Sequence, residues 1–429
     1  MIINFKRFTG AISKMDRFAA DTNAKKQILL DVKGDTLNIF YSDGRKNIVE
    51  RIKCELEDGD ADESAIVNVD NLKDVIAACA PSGSIKCDEI TMKFDGRDKL
   101  SINADKYYLS SNKAGEEVKR VGSHVAKDVK YVKSEEMHGG SILTRFDYNT
   151  IFGVFAEDGV ESDKWDIADM KNILTRVSKN DPKTCFISAK EQEAFSMTNA
   201  SLTTLPLKND IKFGFSLTSK VAKFVGDIFG SVEGASSVFV TSKENRYCYM
   251  MTDDETVGIM FENTPASRMD KITVTRYKEV KYETYSCIFP REVITDTFKT
   301  ALGAGKDDNS ELAFELAKTE FIGSSNDDDE TELQCVITRG DGVSSLSGFR
   351  AAARAYESHN DEKPLEAEKL KINLKVLVDL LNNCSDLYVK IDMEVIQNQV
   401  YMKLIDYHRD PETGAYLVGA VHYTAASEA

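Results

Sequence analysis

The sequence predicts an α+β protein assembled from six copies of one unit: a short strand, a helix of about three turns, and three further strands. Three observations lead there. The stretch LKINLKVLVDLLNNCSDLYVKIDME, residues 370–394, alternates apolar and polar positions through Ile372 and Leu374. It then shifts to helical spacing at Val376, Leu377, Leu380 and Leu381, and returns to alternation without an intervening loop. The same succession of periods recurs along the chain, although the copies share negligible sequence identity. Proline, which interrupts both kinds of element, occurs only seven times in 429 residues.

Each copy can be read in order. The first runs IINFKRF, helix TGAISKMDRFAA, then KQILLDVKG, DTLNIFYSDG and KNIVERIKCEL. The second is AIVNV, helix DNLKDVIAACA, then EITMKFDG, KLSINAD and KYYLSS. Thr9 and Asp70 are placed as N-caps, because their side-chain oxygens accept hydrogen bonds from first-turn N–H groups that have no partner within the helix. The third copy has helix DIADMKNILTRVSK followed by KTCFISAK, EAFSMTNA and SLTTLPLK, with no clear first strand. The fourth is IKFGFSL, helix TSKVAKFVGDIFGSV, then SSVFVTSKEN, RYCYMMTDD and TVGIMFEN; Val221, Phe224, Val225, Ile228 and Phe229 form one apolar stripe. The fifth is YSCIFP, helix REVITDTFKTALG, then ELAFELAKTEFIG, ELQCVITRG and VSSLSGFRAAA. QVYMKLIDY and AYLVGAVHY complete the sixth.

One unit buries only part of its sheet beneath a single helix, so two units back to back make the smallest closed core. Six units give three domains, in line with about 100–200 residues per domain. The expected boundaries are 1–112, a linker 113–140, 141–265 with an extra N-terminal segment, a linker 266–280, and 281–429. The part around GSILTRFDYNTIFGVFAED fits no copy of the repeat. Acidic loops such as ELEDGDADES and SSNDDDETE read as solvated surface.

Composition narrows the function classes. No apolar run approaches the roughly 18 residues of a membrane span, and Lys6 and Arg7 stand where a signal peptide needs its apolar centre, so a cytoplasmic location is expected. The eight cysteines include no CxxC pair and read as reduced, buried thiols. A net charge of −16 repels nucleic acid at long range, so any nucleic-acid role needs a segregated basic surface. The helix windows carry a small positive charge and leave the remainder more acidic than the whole.

Catalytic motifs fail on inspection. LGAGKDD lacks the first glycine of a P-loop, where Thr300 stands, and Asp307 follows Lys306 where magnesium needs Ser or Thr. The five histidines have no metal-ligand spacing, and no G-x-S-x-G elbow occurs. The expectation is a protein without enzymatic activity, metal or cofactor.

As an architecture, six strand-helix-three-strand units ending in YLVGAVHY, the chain resembles a DNA sliding clamp of the bacterial β type or a phage relative of it. The resemblance implies the DNA clamp fold: three similar domains per chain and two head-to-tail subunits in a homodimeric ring, with helices lining the hole and sheets forming the outer wall. It implies double-stranded DNA as a sequence-independent partner. It also implies a polymerase and a clamp loader held through short hydrophobic peptides. A sliding ring needs Lys and Arg on the inward helices. The candidates are Lys6, Arg7, Lys14, Arg17, Lys25, Lys26, Lys73, Lys171, Arg176, Lys179, Lys220, Lys223, Arg291, Lys299 and Lys375. Carried over by position, the peptide pocket falls on Leu202, Leu205, Val238, Leu417 and Val421, and the subunit seam on Tyr107 and Tyr108. The family's usual Pro and Met in the last strand are replaced by Gly419, Ala420 and Val421, and its Gly-His-Arg stretch by Thr198, Asn199 and Ala200. Repeated sheets also suit a structural protein of a phage particle; a helix in every unit favours the clamp.

Overall fold

The computed structural model describes the chain except residues 20–25, 57–61, 135–141, 180–181, 199–200, 244–245, 264–276, 283–284, 305–308, 319–330, 339–348, 354–367, 397–398, 410–415 and 429. For strands between residues 285 and 373 the backbone path alone is described.

The six units appear in order. The first is β1 (Ile2–Asn4), α1 (Phe5–Phe18), β2 (Gln27–Lys33), β3 (Thr36–Ser42) and β4 (Lys46–Glu55). The second is β5 (Ser64–Asn68), α2 (Val69–Cys79), a two-residue β6 (Ile85–Lys86), β7 (Glu89–Phe94), β8 (Lys99–Ser111) and an added β9 (Glu117–Lys133). Two short helices follow, α3 (Ile142–Arg145) and α4 (Asn149–Gly153), with a 3-10 turn at Val154–Ala156. The third unit is β10 (Asp163–Asp166), α5 (Ile167–Val177), β11 (Cys185–Ser188), β12 (Glu193–Met197) and β13 (Ser201–Pro206). The fourth is β14 (Phe215–Leu217), α6 (Ser219–Phe229), β15 (Ser237–Lys243), β16 (Tyr247–Thr252) and β17 (Val257–Glu262). The fifth is β18 (Tyr285–Pro290), α7 (Arg291–Ala304), β19 (Asn309–Lys318), β20 (Thr331–Thr338) and β21 (Phe349–Ala353). The sixth is β22 (Glu368–Asn373), α8 (Leu374–Asn383), β23 (Tyr388–Ile396), β24 (Gln399–Arg409) and β25 (Tyr416–Glu428).

In the first two units the strand runs straight into the helix because its last residue is an asparagine cap. Asn4 Oδ1 accepts from the Arg7 N–H at 3.0 Å, and Asn68 Oδ1 from the Asp70 and Asn71 N–H groups at 2.9 and 3.2 Å. This corrects the expected caps. Thr9 lies inside α1, its hydroxyl donating to the Phe5 carbonyl at 2.8 Å, and Asp70 occupies the first turn of α2. The α1 stripe of Phe5, Phe8, Ala11, Ile12, Met15 and Phe18 is wholly buried, as helical periodicity requires.

The chain forms two compact units, one of residues 1–172 and 223–264, the other of 173–222 and 265–429. In the first, an antiparallel sheet runs β1-β7-β8-β9-β5-β2-β3-β4-β17-β16-β15-β10. Its first and fourth copies join through β4 and β17, with Ile48 opposite Ile259 and Glu50 opposite Val257. In the second, β13 pairs with β25, with Leu202 opposite Tyr423 and Thr204 opposite Val421. The six cysteines with described side chains, Cys54, Cys79, Cys87, Cys185, Cys248 and Cys384, are buried thiols, as expected.

Residues 117–133, expected as linker, form β9, which pairs along β8 and, at Tyr131–Lys133, with β5. The segment after it covers a sheet face. Leu143, Tyr148, Ile151, Phe152 and Val154 are buried against Phe40, Val49, Tyr249, Met251 and Met260. On β3, Tyr41 meets Phe18 of α1 while the next residue inward, Phe40, stacks on Phe146, so α1 and this segment lie on opposite faces. Each of these large side chains contributes about 1.5–3 kcal/mol on burial. Gly258 lets the segment approach, since a Cβ there would lie 2.8 Å from Ile151 Cγ2.

Candidate nucleic-acid interface

Lys6, Arg7 and Arg17 stand exposed on α1. With Lys14 they line a cavity of about 280 Å³ whose other wall is the C-terminal part of α6 and the turn after it, including Asp227, Ser231 and Glu233. Lys6 pairs with Glu233, but both are exposed, and such a pair contributes under about 1 kcal/mol. Lys14 differs: only 12% exposed, it holds Glu50 Oε1 at 2.8 Å. The α1 face is therefore cationic, with Lys14 held in a buried pair and Lys6 in an exposed one.

Lys26 and Lys73 are tied to a single acceptor. Their Nζ atoms lie 2.6 Å from the two oxygens of Asp16, and those hydrogen bonds outweigh burial and hold the carboxyl below its usual range. Lys25 lies outside the described residues.

Three further candidates serve the second unit's own structure. Arg176 Nη2 pairs with Asp406, which is fully buried and also accepts from the Ser385 and Asp386 N–H groups at 2.8 and 3.0 Å. Lys179 Nζ donates to the Asn382 carbonyl at 2.6 Å, and Arg291 Nη1 to the Cys384 carbonyl at 3.0 Å. The three cations thus gather at the C-terminal end of α8, where unsatisfied carbonyls and the negative end of the helix dipole favour positive charge. Burial and the Arg176 charge lower the Lys179 pKa. Arg176 is mostly buried at this polar joint, Arg291 is partly exposed and Lys179 is exposed.

The remaining candidates, Lys171 on α5, Lys220 and Lys223 on α6, Lys299 on α7 and Lys375 on α8, are all exposed. Lys299 also lines a cavity of about 500 Å³ with Arg291, Thr295, Asp296, Leu381 and Asn382.

Of the peptide-pocket candidates, Leu202 and Val421 come together. They share an apolar cluster with Phe186, Phe195, Met197, Tyr277, Val280, Tyr282, Tyr401 and Tyr423. Leu205 is buried, and standing three residues from Leu202 on one strand it points to the opposite face. Leu417 is 44% exposed and outside the cluster. Val238 is fully buried on β15, as a core residue of the first unit.

No family model matches the sequence, and no curated protein matches it. Solved structures do match, over their whole length. The beta subunit from DNA polymerase of Streptococcus pyogenes is 11% identical, with 100% of this chain and 99% of that chain covered and a TM-score of 0.66. The DNA polymerase sliding clamp from Caulobacter crescentus gives 9%, 100%, 99% and 0.66. The DNA polymerase III beta subunit from Thermotoga maritima gives 12%, 100%, 99% and 0.66. This chain has the sliding-clamp fold.

Within the sliding-clamp fold, the sequence reading placed a seam at Tyr107 and Tyr108. There β8 is flanked on both sides, by β6 (Ile85 opposite Tyr108) and by β9 (Val121 opposite Tyr107). Tyr107 is buried and its hydroxyl bonds Asp88, and Lys119 Nζ lies 3.9 Å from its ring centroid. β9 removes the open edge that a second sheet would need at these residues. Among the described residues, the outer side of β9 over residues 117–130 has no strand beside it.

Sequence reasoning missed Tyr277, Val280 and Tyr282, which it assigned to a linker and its margin. The apolar spacing in RYKEVKY was the available signal. It also missed Glu50, whose burial depends on a helix more than thirty residues away in the chain.

Proposed function

We propose that the protein is a DNA sliding clamp, a processivity factor that encircles duplex DNA and tethers a polymerase. The observation that carries this reading is the two-way, full-length match to the sliding-clamp fold. The exposed cations Arg7, Arg17, Lys171, Lys220, Lys223, Lys299 and Lys375 on its helices fit that reading. They suit phosphates without reading bases, as sliding requires. Three domains of two units each, two chains head to tail, would complete the ring in the cytoplasm. No catalytic role is assigned.

Polymerase and loader peptides would dock at the aromatic cluster around Leu202, Val421 and Tyr423. Apolar and aromatic surfaces are what short hydrophobic motifs bind. Tyr423→Ala is expected to weaken peptide binding at least about tenfold, since aromatic anchors carry most of such energy; an unchanged affinity would move the site elsewhere.

The deciding experiment is topological. Loaded onto nicked circular duplex, the protein should survive high salt and fall off when the circle is cut, with a solution mass near twice 47.8 kDa. Equal salt sensitivity on circular and linear DNA would refute the ring.

A further inference from the structure

Glu50 faces α1 from the middle of β4, with a side chain only 6% exposed. Its Oε1 takes the Lys14 ammonium at 2.8 Å, while Oε2 has no hydrogen-bond partner. A buried carboxylate oxygen left without a donor is costly, so such a group calls for an explanation. Both residues line the cationic cavity between α1 and the end of α6. Arg7 and Arg17 stand exposed at the same cavity.

Duplex phosphates meeting this face would find Lys14 already occupied. We propose that the cavity seats one backbone phosphate of duplex DNA, and that Glu50 competes with that phosphate for Lys14 and so keeps the hold weak. The inference rests on the clamp reading and deepens it: a ring that must slide gains from cations whose pull is partly cancelled from within. The competitor is built into the sheet. Its place on β4 is fixed by pairing with Val257 of β17.

Protonation should remove the competitor. Burial raises the Glu50 pKa above the ordinary 4.5, opposed by Lys14 and Arg7 and reinforced by Asp254. The other charged groups at the cavity are Lys6 and Arg17 on α1, Arg51 on β4, which also reaches Glu255, and Asp227 and Glu233 opposite. Glu233, paired with Lys6, is held below its usual range and stays ionised through the window in which Glu50 takes up its proton.

The test compares the full-length wild type, Glu50→Gln, Lys14→Met and the double variant on a fluorescent linear duplex across salt and pH. Glu50→Gln is expected to bind about three- to tenfold more tightly at low salt. Its log–log salt slope should be steeper by about one, the signature of one added phosphate contact. The gain should vanish in the Lys14→Met background, and wild-type binding should tighten with falling pH while Glu50→Gln stays flat. An unchanged slope in Glu50→Gln, or a gain that persists without Lys14, overturns the inference and leaves the clamp reading standing. A wild type that binds neither linear nor circular duplex overturns both. Inorganic phosphate that displaces DNA no better than chloride at equal ionic strength supports a DNA phosphate; saturable displacement would reassign the seat to a small anion. Should Glu50→Gln fail to fold, the wild-type pH profile decides alone, a flat one counting against the inference.

Discussion

Arg176 separates structural cations from those proposed to meet DNA. Arg176→Met would leave Asp406, which has no exposed surface, without its counter-charge. Removing one partner of a buried pair costs about 3–5 kcal/mol. The N–H groups of Ser385 and Asp386 still donate to Asp406, which favours the lower end, about 3 kcal/mol. With a urea dependence of about 2 kcal/mol/M, the midpoint of the transition that reports the second unit should fall by roughly 1.5 M. Amide exchange at Ser385 and Asp386 should quicken with it. DNA affinity measured well below that midpoint should keep its salt slope. Arg17→Gln, Lys299→Gln and Lys375→Gln should do the reverse, each moving stability by under about 0.5 kcal/mol and flattening the slope by about one. The reasoning fails if Arg176→Met flattens the salt slope while the urea midpoint stays put.

Two further outcomes follow from buried groups. His422 is fully buried, bonded through Nδ1 to Thr203 Oγ1 at 3.0 Å, and burial, aided by Arg176 and Lys179, lowers its pKa from 6.5 to about 3. The unfolded chain therefore binds the proton first. Stability is full above about pH 6.5 and falls as pH drops toward 3, by about 2 kcal/mol at pH 5. Urea midpoints at the two pH values measure this, and His422→Gln should flatten the dependence. Gly258→Ala should cost about 1–3 kcal/mol by pressing its Cβ into Ile151 and Phe152, and Phe152→Leu should recover part of it. Urea midpoints report both, and equal midpoints in all variants would argue against the packing.

The repeat was legible because each unit must bury one helix stripe and one sheet face, and period alone marks those residues. Helix starts were less so: Asn4 and Asn68 close a strand and cap a helix at once, so no loop advertises the change. Cation roles were not legible at all. Lys14 and Arg17 look alike on a helical wheel, and what divides them is Glu50, 36 residues from Lys14; Asp406 is 230 residues from Arg176. The covering segment left a usable trace. YCYMMT and VGIMFE are apolar at successive positions, as expected of strands buried on both faces, and Phe146, Tyr148 and Phe152 supply the second cover.

That second cover bears on where the first unit is firm. β4 and β17 come from different copies of the repeat, and their five-residue register, Lys46–Glu50 against Val257–Phe261, is extended by one backbone hydrogen bond at each end, Arg51 N–H to the Thr256 carbonyl and Glu262 N–H to the Arg45 carbonyl, both 2.8 Å. A junction so short is an ordinary place for a sheet to part. Here Val49 and Met260, one from each strand, share one cluster with Ile151 and Phe152, while Arg51 lies over the Phe152 ring at 3.6 Å and reaches Glu255 at 3.5 Å. The segment therefore packs on both strands at once, and separating them would expose it as well. By contrast β13 and β25 meet over four residue pairs, and the apolar and aromatic side chains grouped beside them include the partly exposed Val421 and Tyr282. Covered in part by side chains that are themselves partly exposed, β13–β25 is the less firmly held junction, whereas the doubly covered β4–β17 junction suits a fixed part of the frame.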